Sequence, residues 1–206
     1  MRKIIESTFI DSNVIANWII VSSGLKTKEN ISVGETEELL SELSSPVVNS
    51  YYLLEKIKNE KIENFCFYTS HIAYSEVFSV IGDEYRARLL SQKGVPVRYW
   101  TNMINEVVLP EKYIEQIYKE IKNFIELFFE SKKFAWALDI SNRDVGFFIF
   151  NCKCNTHDAI ILSGALMEKC KYFITEDERL RSRLKKMKYN KIILLSSSDY
   201  LRDVFR

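Results

Sequence analysis

Glycine and proline are scarce in this chain, six and three among 206 residues. An all-β protein built on many tight turns draws heavily on both, so their scarcity argues against that class and for long helices with few breaks. Neither sign of charge dominates: 29 Lys and Arg stand against 28 Asp and Glu. No global field therefore draws the chain to nucleic acid or membrane, and a nucleic-acid partner requires a local basic patch. No apolar run approaches the roughly 20 residues of a membrane-spanning helix. The richest stretch, 144–152, is much shorter. The opening MRKIIESTFIDSN lacks the apolar segment of a secretory signal. The four cysteines, Cys66, Cys152, Cys154 and Cys170, are accordingly expected as reduced thiols in a cytoplasmic protein.

What is present is a large apolar fraction, 47%, enough to bury a sizeable core. Thr8-Phe9-Ile10 is a short apolar run that stops at Asp11-Ser12-Asn13. Val14, Ile15, Trp18 and Ile19 then follow at helical spacing, which predicts strand, acidic turn, helix. A polar loop is expected over 22–33, helices over 34–43 and 46–59, a strand over 65–68 and a helix over 71–91. Residues 94–99 form a breaker. A short strand is expected at 107–109, and Pro110 opens a long helix to about 131. A strand over 134–140 precedes a helix capped by Ser141 or Asn142.

The last third alternates most clearly. Asp158 opens a helix of small and apolar residues. Residues 172–175 form a strand that ends in Glu176-Asp177-Glu178, and a basic helix follows. A last strand over 192–195 leads to a terminal helix capped by Ser196 or Ser197. Strands alternating with helices predict an α/β fold of three layers, α/β/α, around a parallel sheet of four to five strands. The expectation is a single domain over 1–206, with helical insertions near 25–60 and 95–132.

Open parallel sheets hold their sites beyond the carboxyl ends of the strands. Asp11 and Asp177 fall at such ends. Asp158 opens a helix at that edge, and Glu76 lies near the start of the helix after the second strand. Four acids from four separated segments are thus directed at one region. Like charges at close range need compensation, which a bound cation supplies. Oxygen ligands without His or Cys suit Mg²⁺ or Mn²⁺, the ions that activate water and steady a phosphodiester during hydrolysis.

The stretches Phe9-Ile10-Asp11-Ser12-Asn13, Ser75-Glu76-Val77, Thr156-His157-Asp158-Ala159 through Ala165, and Ile174-Thr175-Glu176-Asp177 resemble the PIN-domain family, which includes the VapC-type toxin ribonucleases. The resemblance implies a PIN-like fold and a metal-dependent ribonuclease. Asp11, Glu76, Asp158 and Asp177 become the catalytic and metal-holding acids, and Ser12 and Thr175 the groups that orient them. It further implies an RNA substrate, an antitoxin protein as partner in a toxin–antitoxin pair, and a homodimer. The intervals from Asp11 to Glu76 and from Glu76 to Asp158 are longer than in compact toxins, and the inserted helices account for them. Glu176 is a rival to Asp177 as ligand.

Arg179 and Arg181 begin a basic run directly after Asp177. With Arg143 they are candidates for contact with RNA phosphates, against the commoner solvated helix face. Cys152, Cys154 and His157 lack a fourth ligand and the spacing of a zinc site. Phe124, Phe128, Phe129 and Phe134 are expected in a core or dimer interface. Asn13 stands where phosphatase-like folds carry a second Asp, which sets that class aside. The alternative to a nuclease is a catalytically silent PIN fold acting as scaffold or RNA-binding partner.

Overall fold

The structure, a computed structural model, describes residues 6–26, 40, 43–59 and 66–205. Five strands form one sheet: β1 (Thr8–Ile10), β2 (Phe67–Ser70), β3 (Phe134–Ala137), β4 (Tyr172–Ile174) and β5 (Ile193–Leu195). Their spatial order is β3-β2-β1-β4-β5, and every pairing is parallel. Eight main helices surround it among the described residues. These are α1 (Ser12–Lys26), α2 (Ser45–Asn59), α3 (His71–Gln92), α4 (Glu111–Ile125), α5 (Asn142–Phe150), α6 (Thr156–Met167), α7 (Glu178–Lys186) and α8 (Ser197–Asp203). Short helical turns fill 97–106, and α4 runs on as a π-helical turn over Glu126–Glu130.

Side chains along a strand point alternately to the two faces of a sheet. Here both faces are apolar, which dictates a covering layer on each. Ile10, Phe67, Phe134 and Ile174 face one layer, formed by α1, α2, α3, α4 and α8 with Trp18, Leu53, Ile81, Phe124 and Tyr200. Phe9 and Phe173, with ring centroids 5.2 Å apart, face the other, formed by α5, α6 and α7. The three-layer α/β/α fold expected of the sequence is the one observed. Phe124, Phe128 and Phe134 are buried core residues, and Trp18 packs edge-on against Phe124 and Phe128.

Several boundaries differ. The loop expected from residue 22 begins later, because α1 runs through Lys26; Val21 is still buried in the core and holds that turn down. The rest of that loop, and the helix expected over 34–43 apart from Leu40 and Leu43, lie outside the described residues. Residues 107–109 pair with no strand of the sheet. Val108 is 87% exposed there, while Leu109 packs on the core from outside the sheet. The third strand stops at Ala137, leaving Leu138 and Ile140 in solvent.

The shortage of glycine leaves its mark at the helix ends. Lys132, Lys169 and Lys188 each follow a C-cap residue and adopt left-handed φ of 59°, 54° and 52°. Glycine is the usual occupant of that position. An L-residue is disfavoured there by about 1–2 kcal/mol, and a lysine charge beside the negative helix end offsets part of this, about 0.3–1 kcal/mol.

An aromatic cluster of Phe124, Phe128, Phe129 and Phe134 packs at β3. Phe128→Ala is expected to lower unfolding free energy by about 3–5 kcal/mol, seen as a lower urea midpoint at an unchanged slope. A loss below about 1 kcal/mol would contradict the packing described.

Candidate functional site

The chain leaves β1 for β2 on one side and returns to β4 on the other. The carboxyl ends of β1 and β4 therefore flank the point where strand order reverses, the place where open sheets form a crevice. Asp11 follows β1 directly, and its N–H still bonds to Ile174 of β4 at 3.0 Å. Its side chain is buried, with 7% of the residue exposed.

Three donors fix this carboxylate. Oδ1 accepts from the Ser12 N–H at 2.8 Å, and Ser12 Oγ lies 3.4 Å away. Oδ2 accepts from Thr175 Oγ1 at 2.7 Å and from Asn13 Nδ2 at 3.0 Å. Thr175, just past β4, in turn accepts from Asn13 Nδ2 and from the Asp177 N–H, each at 3.0 Å. Asn13 Oδ1 accepts from the Glu176 N–H at 3.0 Å. One asparagine thus ties the turn after β1 to the turn after β4.

Burial is the largest influence on Asp11 and disfavours its charge. The bonds from Thr175 and Ser12 oppose this, while the nearby charges of Glu76 and Asp158 add to it. The net effect lifts the carboxyl from its ordinary 3.8 to about 6. Asp158 is also raised, by burial first and then by Asp177 and Glu76, with Arg183 and the Asn155 bond working the other way. Glu76 and Asp158 thus bear on Asp11, and Glu76 and Asp177 bear on Asp158.

Each is placed by a local device. Asp158 is the third residue of α6 and gives its N–H to the capping Asn155 at 2.7 Å. Glu76 lies in the second turn of α3; its Oε2 accepts from Ser12 Oγ at 3.0 Å and its Oε1 lies 3.0 Å from His157 Nδ1. Asp177 caps α7 by accepting from the Leu180 N–H at 3.0 Å. Ser12 bonds to Asp11 through its N–H and to Glu76 through its hydroxyl, and Thr175 bonds to Asp11.

Glu176 points elsewhere. Its Oε1 accepts from the Ser197 N–H at the start of α8 at 2.9 Å and lies 3.4 Å from Ser50 Oγ on α2, while Oε2 lies 3.7 Å from Arg181. It anchors helices and does not share the acidic cluster. Arg181 is committed to the same anchor, donating also to the Thr175 carbonyl. Arg143 and Arg179 are exposed, and among the described residues neither bonds to an acid of the cluster.

Three neighbours of the acids are not evident from the sequence. Asn13 stands there at the end of the stretch after the first strand and as a missing second acid, with no role of its own, although a polar side chain two residues past a strand-end Asp is placed to clamp it. His157 stands in sequence beside the thiols, yet it meets Glu76. Arg183 sits inside the basic run with nothing to single it out; it donates to the Lys153 carbonyl at 2.6 Å and acts on Asp158. Cys152 and Cys154 are buried, and burial pushes the Cys154 thiol up to about 11.

Among the described residues no three His, Cys, Asp or Glu side chains stand ready to close on a single ion. The acids share a field without forming a closed cage. A small hard cation that keeps several waters and takes one or two carboxylates directly fits such an all-oxygen set.

The fold and site define an α/β protein with an acidic cluster at the carboxyl edge of a five-stranded parallel sheet, where strand order reverses. No protein-family model matches the chain. It belongs to the same family as a protein of Archaeoglobus fulgidus described as uncharacterized, being 33% identical to it over 94 residues, 45% of this chain and 72% of the relative.

The raised pKa of Asp11 means that its ionisation opposes folding: the contribution is present below its unfolded value of 3.8 and is lost as pH rises through about 6. The stability difference between wild type and Asp11→Asn should shift toward the variant by about 2 kcal/mol between pH 4 and pH 7, measured by urea unfolding in EDTA. A difference independent of pH would refute the assignment. Glu176→Gln should weaken the fold by about 1–3 kcal/mol in the same assay while leaving any Mg²⁺ affinity unchanged.

Proposed function

We propose that this protein is a Mg²⁺- or Mn²⁺-dependent ribonuclease of PIN type that hydrolyses RNA phosphodiester bonds at the acidic crevice. The observation that carries this reading is Asp11. Its carboxylate is locked in place by Thr175, Asn13 and Ser12, yet its charge is opposed by burial and by Glu76 and Asp158. A structural carboxylate is ordinarily placed beside a cation or left in water. Holding several together, partly buried, supports a site kept for an incoming positive charge.

A divalent cation bound there supplies a water of lowered pKa and neutralises charge on phosphate oxygens. The chain's own residues do the rest. Thr175 and Asn13 fix the direction of one Asp11 oxygen. Ser12 ties the other to Glu76, so the acids from β1 and α3 keep one spacing. Asp158, whose carboxyl is pushed upward by burial and by Asp177 and Glu76, stands with them at the same edge as a further oxygen donor for the cation. Arg183, beside it, provides a positive charge for a phosphate.

A second reading is favoured by one observation, the lack of three acids poised around a single point among the described residues. It makes the chain a catalytically silent PIN-type scaffold. Calorimetric titration separates the two, since the nuclease binds Mg²⁺ or Mn²⁺ at millimolar concentration and the scaffold does not.

Purified protein is expected to cleave RNA with Mn²⁺ or Mg²⁺ and to lose that activity in EDTA. Asp11→Asn and Asp158→Asn should each reduce the rate by about a hundredfold or more. Cleavage by both variants at the wild-type rate would sink the proposal.

A further inference from the structure

Three aromatic rings form a continuous stack at the rim that carries the acids. Trp136, on β3, lies 4.2 Å from Phe129 on one side, with 22° between planes, and 4.2 Å from His71 on the other, with 15°. Tyr74 meets Trp136 edge-on at 5.5 Å and Phe78 braces Tyr74 in turn. Trp136 is covered on both faces and held from the side, so the stack is rigid. His71 ends it. The residue is exposed, and among the described residues no other ring covers the outer face of its imidazole.

Its place follows from topology. His71 is the first residue of α3, directly after the carboxyl end of β2. That strand neighbours β1, whose end carries Asp11, and adjacent strands lie roughly 5 Å apart. Glu76 is on the same helix. A flat ring lying parallel on a fixed aromatic pile, exposed at the same carboxyl edge of the sheet as Asp11, is the geometry on which an unpaired base stacks. Covering Trp136 alone needs only an aliphatic side chain, which would leave no planar face.

We infer that the outer face of His71 is a stacking site for an unpaired base of single-stranded RNA, one that places the neighbouring phosphodiester at the crevice. The substrate rests on the ribonuclease reading, whereas the site rests on the ring geometry. Stacking tolerates any base, so the site gives affinity for single strands over duplex and little sequence preference.

The test is fluorescence anisotropy with a short fluorescein-labelled oligouridine, in EDTA, where no cleavage occurs. His71→Ala is expected to bind about tenfold more weakly than wild type, and His71→Phe to restore binding. An oligomer of the same length with abasic sugars should bind wild type and His71→Ala alike. The site is overturned if wild type does not bind, if His71→Ala binds as tightly as wild type, or if the abasic chain binds wild type as tightly as the oligouridine does. Each of these outcomes holds whether or not Mn²⁺-dependent cleavage is seen, and cleavage judges the nuclease reading separately. Urea midpoints of the two variants, expected at the wild-type value because the Ser70 cap of α3 is untouched, show that folding is intact.

Discussion

A carboxylate that cannot easily carry its charge sits at the end of the central strand, and the arrangement around it answers to that constraint. Asp11 is buried among other acids, so it persists only because the backbone and side chains nearby donate to it. Thr175 and Asn13 grip one oxygen and Ser12 the other. Those three residues belong to two turns that follow different strands, so the register of β1 against β4 is part of the site. Thr8, Phe9 and Ile10 pair with Tyr172, Phe173 and Ile174, and that alignment sets Asp11 against Thr175.

The sheet converts this local demand into architecture. With apolar side chains on both faces, helices must cover both, and the carboxyl rim at the switch between β1 and β4 is left as an open edge. α3 and α6 begin at that rim and bring Glu76 and Asp158 in their first two turns. Asp177 has a double role. It caps α7 through one oxygen while its charge bears on Asp158. Glu176, one residue earlier, bonds instead to the start of α8 and pairs with Arg181 of α7, so adjacent acids serve different partners.

The alternation of strands and helices is legible in the sequence because buried strands declare themselves as short apolar runs and helices by their spacing. Three of the acids are legible for a related reason: Asp11, Asp158 and Asp177 stand at or beside element boundaries that periodicity reveals, whereas Glu76 lies one turn inside a helix. Direction is not. Nothing in Thr175-Glu176-Asp177 says which carboxylate turns to the crevice, since that depends on where the Ser197 N–H and Arg181 come to lie. Asn13, His157 and Arg183 stay hidden for the same cause, as their partners are remote in sequence. The run at 107–109 misleads because β-propensity expresses itself only where a pleated face is available for burial, and Val108 has none.

The central claim is that Asp11 is held in a field awaiting a cation. Carboxyl carbon NMR of the protein labelled at aspartate, titrated without metal and then at saturating Mg²⁺, tests it most directly. Asp11 is predicted to titrate near 6 in the metal-free protein and to move well below the ordinary carboxylate range when Mg²⁺ is added. A carboxyl that titrates at its ordinary value and ignores Mg²⁺ would contradict it.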